Sequence, residues 1–121
     1  MLKRIFTNTR KKGQYFEEAA EHYLKKQGLT PIARNYLCRY GEIDLIMKDT
    51  HTWVFVEVKY RKSQQFGGAI NTLSHQKQQR LRRSIYQYMQ DFTLHNVALR
   101  VDFVAIQGDT PHTIQWIKNV F

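Results

Sequence analysis

Apolar residues recur along this chain with two different periods, and the changes of period lay out its elements. Between Gly13 and Gln27, residues Phe16, Ala19, Ala20, Tyr23 and Leu24 return at helical spacing. They predict a helix with a single apolar stripe, and Gly28 follows as its C-terminal cap. Residues 31–40 predict an extended segment around Ala33–Arg39. From Glu42 to Tyr60 the period falls to two. Glu42, Asp44 and Ile46 share one face against Ile43, Leu45 and Met47; Trp53, Phe55, Glu57 and Lys59 share one against Val54, Val56, Val58 and Tyr60. This predicts two strands joined at Asp49-Thr50-His51-Thr52. Residues 61–72, with Gly67-Gly68 and polar neighbours, predict a loop. Ser74 then caps a helix from about His75 to Asp91, whose stripe is Leu81, Ile85, Tyr88, Met89 and Phe92. Arg100–Ile106 alternates as a strand. A short last strand at Ile114–Trp116 follows the turn Gly108-Asp109-Thr110-Pro111. The order is α-β-β-β-α-β-β, an α/β chain.

Length and charge narrow the picture. At 121 residues the chain is expected to hold one domain, residues 13–121, behind a basic N-terminal arm, residues 1–12, that carries Lys3, Arg4, Arg10, Lys11 and Lys12. No apolar run is long enough to span a bilayer, and the charged start lacks the apolar core of a signal peptide. The single cysteine, Cys38, excludes an internal disulfide framework and a cysteine-rich zinc site. A cytoplasmic setting is expected. The formal charge of +9 favours a polyanionic partner, nucleic acid ahead of an anionic membrane surface. The five histidines show no ligand spacing and read as ordinary surface residues.

The candidate chemistry lies in the strand pair. Asp44, Glu57 and Lys59 fall where apolar side chains are expected, and charges there need partners or a metal. A four-residue loop pairs Lys48 with Trp53. Counting outward sets Ile46 against Phe55, Asp44 against Glu57 and Glu42 against Lys59. Opposed residues have Cβ atoms about 5 Å apart, so Asp44 and Glu57 would share one cation. A hard ion such as Mg²⁺ takes oxygen ligands and lowers the pKa of bound water. Lys59, on the same face, would orient that water or stabilise the charged transition state. Glu57-Val58-Lys59 alone reads more simply as a surface ion pair; the apolar surroundings and the opposed Asp44 turn the reading toward a metal site. By helical spacing Glu17 borders the apolar stripe. There it is either a third carboxylate or a solvated acid near a helix start, and spacing alone leans to the second. Asp102 reads as a structural carboxylate paired with Arg100 or another base. Lys77, Arg80, Arg82 and Arg83 load the first half of the second helix with positive charge, against its dipole. That suits either a phosphate-facing surface or a solvated basic face.

These motifs occur in a familiar order. Gly13 and Glu17 give G-x-x-x-E; Ala33–Tyr36 give A-R-N-Y; Gly41–Ile46 give G-E-I-D-L-I; Phe55–Arg61 give F-V-E-V-K-x-R; Arg100–Val104 give R-V-D-F-V. The chain resembles the PD-(D/E)XK nuclease superfamily and, more closely, the YraN-like family of bacterial proteins, which are similar to archaeal Holliday-junction resolvases. The resemblance implies a restriction-endonuclease-like fold, a mixed central sheet flanked by helices. It implies a metal-dependent endonuclease acting on DNA rather than RNA, branched or structured DNA included, with Mg²⁺ or Mn²⁺ as cofactor. Asp44, Glu57, Lys59 and Glu17 would be catalytic, with Asp44, Glu57 and Glu17 as metal ligands. Arg61, Lys62, Lys77, Arg80 and Arg83 are candidates for nucleic-acid contact. A homodimer is expected by analogy. Where the family often has glycine before the helix glutamate, this chain has Phe16. Two other readings compete: a non-catalytic nucleic-acid-binding module, and a metal-free RNA endonuclease, which would want a histidine–tyrosine–lysine set and would cut in EDTA.

Overall fold

Residues 9–62 and 73–121 are described by a computed structural model of the chain. The elements follow the expected order: α1 (Thr9–Lys26), β1 (Thr30–Cys38), β2 (Gly41–Asp49), β3 (Thr52–Arg61), α2 (His75–Asp91), β4 (Leu99–Gln107) and β5 (Thr113–Ile117). Helix α1 begins at Thr9 rather than Gly13, so Arg10, Lys11 and Lys12 lie in its first turns. Gly28 ends it with φ +102°, a conformation glycine adopts without a Cβ penalty, and Leu29 N donates to Leu24 O at 3.1 Å. Ser74 caps α2 as expected, its hydroxyl accepting from Lys77 N at 3.2 Å. The loop expected over residues 61–72 falls, from residue 63 on, outside the described residues.

The described strands form one sheet in the order β1-β2-β3-β4-β5. Only β3 and β4 run parallel; the other neighbours are antiparallel. A parallel pair needs a long crossover, which here contains α2. The helices cover opposite faces. Phe16, Ala20 and Leu24 of α1 pack on Leu45, Met47, Val54, Val56, Val58, Val104 and Ile106. Leu81, Ile85 and Tyr88 of α2 pack on Ile43, Ile46, Phe55 and Val101. Burying both faces explains why β2, β3 and β4 are apolar on alternate and adjacent positions alike. This is the mixed-sheet, restriction-endonuclease-like α/β architecture that the motif order implied. Among the described residues no helix is long and apolar enough to cross a membrane.

The β2–β3 hairpin has the expected register, with Lys48 opposite Trp53 and Ile46 opposite Phe55, but Asp49 also pairs with Thr52, leaving a two-residue turn at Thr50-His51. The ladder stops at Leu45–Val56. Asp44–Glu57 and Glu42–Lys59, expected as the next pairs, are not part of it. Alternation breaks at the same place, because Ile43 joins Ile46 in the α2-side cluster rather than Leu45 on the α1 side. A local hydrogen bond accounts for the break: Asp44 Oδ2 accepts from the backbone N–H of Val58 at 2.8 Å. The side chain takes a donor that a carbonyl would take in a regular ladder.

Asp102 is structural, as its position suggested. It is fully buried and accepts from Arg100 Nε, Trp116 Nε1 and Asn119 N at 2.9–3.2 Å. His112 departs from the surface reading. It is half-buried, its Nε2 lies 3.1 Å from the Tyr15 hydroxyl, and its ring packs edge-on to Tyr15, Phe16 and Tyr60.

Candidate active site

Three elements bring carboxylates to the point where the β2–β3 ladder opens. Glu17 lies one position beyond Phe16 on α1, and Phe16 is buried and stacked on Tyr60 of β3 with ring centroids 4.0 Å apart. That packing fixes the helix over the sheet and leaves Glu17 half-buried at its edge. The phenylalanine that replaces the expected glycine therefore anchors α1 without removing Glu17 from the site. Glu42 and Asp44 project from β2. Among the described residues, one oxygen each from Glu17, Glu42 and Asp44 lie within 4.8 Å of one another. Asn35 of β1 ties two of them together: its Nδ2 donates to Glu17 Oε1 at 2.7 Å and to Glu42 Oε1 at 3.2 Å.

Glu57 and Lys59 lie beside this set. Glu57 is outside the group of three, and its Oε1 is 3.5 Å from Lys59 Nζ. Lys59 lines two clefts. One also holds Lys12, Gly13, Phe16, Glu17, Asp44 and Tyr60. The other holds Glu42, Glu57, Lys77, Arg80 and Ser84. The lysine thus stands between a cleft on the α1 side that holds Glu17 and Asp44 and a second, mixed cleft under α2. Of the candidate phosphate contacts, Lys77 and Arg80 reach the second cleft. Arg61 and Lys62 are exposed at the end of β3, and Arg83 is exposed on α2.

The carboxyls of Asp44, Glu17 and Glu57 are held above their ordinary range, chiefly by burial. Burial pushes the Asp44 carboxyl well above the usual carboxylate range, and the nearby negative charge of Glu57 adds to this; the Val58 N–H pulls the other way. Burial also raises Glu17, against the bond from Asn35, and its carboxyl shares a hydrogen bond with Asp44. Glu57 is raised by burial and held down by Lys59. Carboxylates this close keep a proton between them or take up a cation, since repulsion in a half-buried site is otherwise uncompensated. The donors are all oxygen, and at Asp44 and Glu17 one oxygen is already fixed by a protein N–H. This set fits a hard divalent ion.

Sequence reasoning found Glu17, Asp44, Glu57 and Lys59 but missed Glu42 and Asn35. Glu42 was legible as the residue two before Asp44 on one strand face, yet it was set against Lys59. Asn35 falls in the A-R-N-Y motif, but the motif assigned it no part in the site, because its position there depends on the β1–β2 register.

The chain matches proteins of the same length across nearly its whole extent. A UPF0102 protein of Pseudoalteromonas translucida is 56% identical over 120 residues, covering 99% of this chain and 98% of the relative. One of Colwellia psychrerythraea is 50% identical over 118 residues, covering 95% and 92%. One of Neisseria gonorrhoeae is 49% identical over 110 residues, covering 91% and 94%. Among solved structures, that of Pyrococcus furiosus SfsA in complex with Ca²⁺ aligns with a TM-score of 0.43 and 16% identity, over 96% of this chain and 66% of that one. The model of the uncharacterised protein family UPF0102 matches residues 16–106, a span that contains Glu17, Asn35, Glu42, Asp44, Glu57 and Lys59. With the YraN-like motifs in their expected order and that model covering most of its length, the chain belongs to the UPF0102 family.

Proposed function

We propose that this protein is a metal-dependent endonuclease that hydrolyses phosphodiester bonds in DNA, with branched or structured DNA as its substrate. The observation that carries this reading is the meeting of Glu17, Glu42 and Asp44 oxygens within 4.8 Å, with Lys59 lining the same cleft as Glu17 and Asp44. Asp44, Glu17 and Glu57 are the acidic groups toward a Mg²⁺ or Mn²⁺ ion. When bound, that ion supplies charge neutralisation at the phosphate and a more acidic water. Val58 N–H and Asn35 Nδ2 hold the carboxylates in place. Lys59, its ammonium kept near the cleft by Glu57, meets the charge that develops on the phosphate. Lys77 and Arg80 bind a backbone phosphate beside it, and Arg61, Lys62 and Arg83 extend the contact. Such contacts give affinity and little sequence choice, which suits recognition by DNA shape. A cytoplasmic homodimer accompanies this reading by analogy with the resolvases, and the basic residues of 1–12 contact the DNA, Arg10, Lys11 and Lys12 from the first turns of α1.

The test is a panel of labelled linear, nicked, flapped and four-way DNA, with matching RNA, incubated with Mg²⁺, Mn²⁺ or EDTA. Cleavage is expected on DNA with either ion, none in EDTA, and none from the Asp44→Asn or Lys59→Ala proteins. Unchanged cutting by purified Asp44→Asn would overturn the proposal. Salt-sensitive binding with no cutting on any substrate would leave a nucleic-acid-binding module that retains the fold.

A further inference from the structure

Glu42 lies in the G-E-I-D-L-I motif but is not one of the D…E-x-K residues to which the site was assigned. Its carboxylate lies within 4.8 Å of those of Glu17 and Asp44, whereas Glu57, the glutamate of the D…E-x-K pattern, lies outside that set. We infer that Glu42, positioned by Asn35, is a direct ligand of the divalent ion and contributes more to ion binding than Glu57 does. The inference rests on the ion-site reading above and assigns roles within it.

Three independent features support the assignment. The first is charge balance. Glu57 already has an ammonium partner in Lys59 at 3.5 Å. Glu42 has the amide of Asn35, which carries no net charge. A carboxylate with a neutral partner keeps its full attraction for a cation; one paired with an ammonium has given up part of it.

The second is placement. Arg34 pairs with Leu45 and Tyr36 with Ile43, so the register sets Asn35 across from Asp44. Asn35 has φ +53°, the left-handed region that asparagine tolerates better than most residues. Its amide donates to one oxygen of Glu17 and one of Glu42, which uses both hydrogens of the NH₂ group. The bonds leave the second oxygen of each carboxylate outside the Asn35 contact. Asn35 is therefore a positioning residue that joins a helix carboxylate to a strand carboxylate.

The third is access. Glu42 is exposed. It lines the cleft of Glu57, Lys59, Lys77 and Arg80, and a separate cleft with Arg10, Gly13, Glu17 and Asn35. An ion held by Glu42 would be open to a phosphate that enters past Lys77 and Arg80.

The experiment measures Mn²⁺ binding by calorimetry and by electron paramagnetic resonance on the full-length protein, stripped with EDTA and free of DNA. Asp44→Asn is expected to abolish binding. Glu42→Gln is expected to weaken it by about tenfold or more, and Glu57→Gln by less. Glu42→Asp separates ligation from distant charge: it keeps the charge and shortens the reach, so a direct ligand loses affinity and a remote charge does not. Asn35→Gly retains the left-handed backbone while deleting the amide. It should weaken binding by about tenfold, as loss of a group that orients a metal ligand does, with the thermal midpoint little changed. No Mn²⁺ binding by the unaltered protein, or unchanged binding by Asp44→Asn, would overturn the ion site and this inference with it. Binding that is lost in Asp44→Asn, yet kept at full affinity in both Glu42→Gln and Glu42→Asp, would overturn this inference alone. So would a larger loss in Glu57→Gln than in Glu42→Gln.

Discussion

Asp44 holds an acidic group in surroundings that disfavour its charge. Burial and the neighbouring Glu57 raise its carboxyl above the ordinary value of 3.8, so the folded state binds the proton more tightly than the unfolded chain. The stability from this group is full below the unfolded value and is lost as pH rises through the folded one. Glu17 and Glu57, raised from 4.5, act with the same sign. In chelator, Asp44→Asn should therefore melt higher than the unaltered protein at neutral pH, with a gap that narrows toward acid. Asparagine can still accept from Val58 N, so the strand junction is kept. Thermal melts across about pH 4 to 8, with EDTA or with Mn²⁺, measure both effects; the ion should narrow the gap from the other side, by stabilising the protein that retains Asp44. A gain in stability that removes activity is the expected trade at a functional site. Asp44, Glu57 and Lys59 were legible as candidates because charge on an apolar pattern is a local signal; Glu17, which spacing alone left as a solvated acid, became one through the family resemblance. Glu42 stood on the same strand face as Asp44, but its role did not show, because its partners Glu17 and Asn35 are brought to it by α1 and β1.

Helix α2 shows a local rule set against a surface role. Ser74 satisfies Lys77 N, and Ser74→Ala should cost about 1 kcal/mol, read as a lower urea midpoint at unchanged slope. The first turn has no acidic residue and carries Lys77, which the helix dipole disfavours. Lys77→Glu should stabilise the protein by about 0.5 kcal/mol and still weaken DNA binding, because the residue lines the cleft beside Lys59. A variant that is stabilised and binds DNA unchanged would return Lys77 to an ordinary solvated position. Helix α1 makes a different case. Phe16 is stacked on Tyr60 and buried, so Phe16→Ala should cost about 3–5 kcal/mol and loosen Glu17 with it. The order of the elements and the caps at Gly28 and Ser74 were legible because period and capping residues act over one or two turns, whereas α1 and β1 begin earlier, at Thr9 and Thr30, than expected. The end of the β2–β3 ladder was not legible, since it depends on a side chain of one strand bonding the backbone of the next.

Across the molecule, 19 basic against 10 acidic side chains give a charge of +9, and the carboxylates of Glu17, Glu42 and Asp44 sit within that positive background. DNA binding should weaken steeply with salt. Deleting a cation that neutralises one phosphate should lower the slope of log K against log salt by about one unit. Arg80→Ala, on the cleft, and Arg61→Ala, at the exposed end of β3, should each do so. Fluorescence anisotropy from about 50 to 200 mM salt reads the slopes, and identical slopes for all three proteins would remove these residues from the interface.

The chain's own pattern determined the element order, the caps at Gly28 and Ser74, the hairpin register as far as Ile46 and Phe55, and the candidacy of Asp44, Glu57 and Lys59, because these follow from periodicity and from the cost of burying charge; Glu17 became a candidate only through the family resemblance. The tertiary fold decided what those residues meet. It broke the strand alternation at Asp44, placed Lys59 between two clefts, turned Glu57 toward that lysine and brought Asn35 and Glu42 to Glu17. A carboxylate's partners are set by distances between elements remote in sequence, and a one-dimensional pattern carries no such distances.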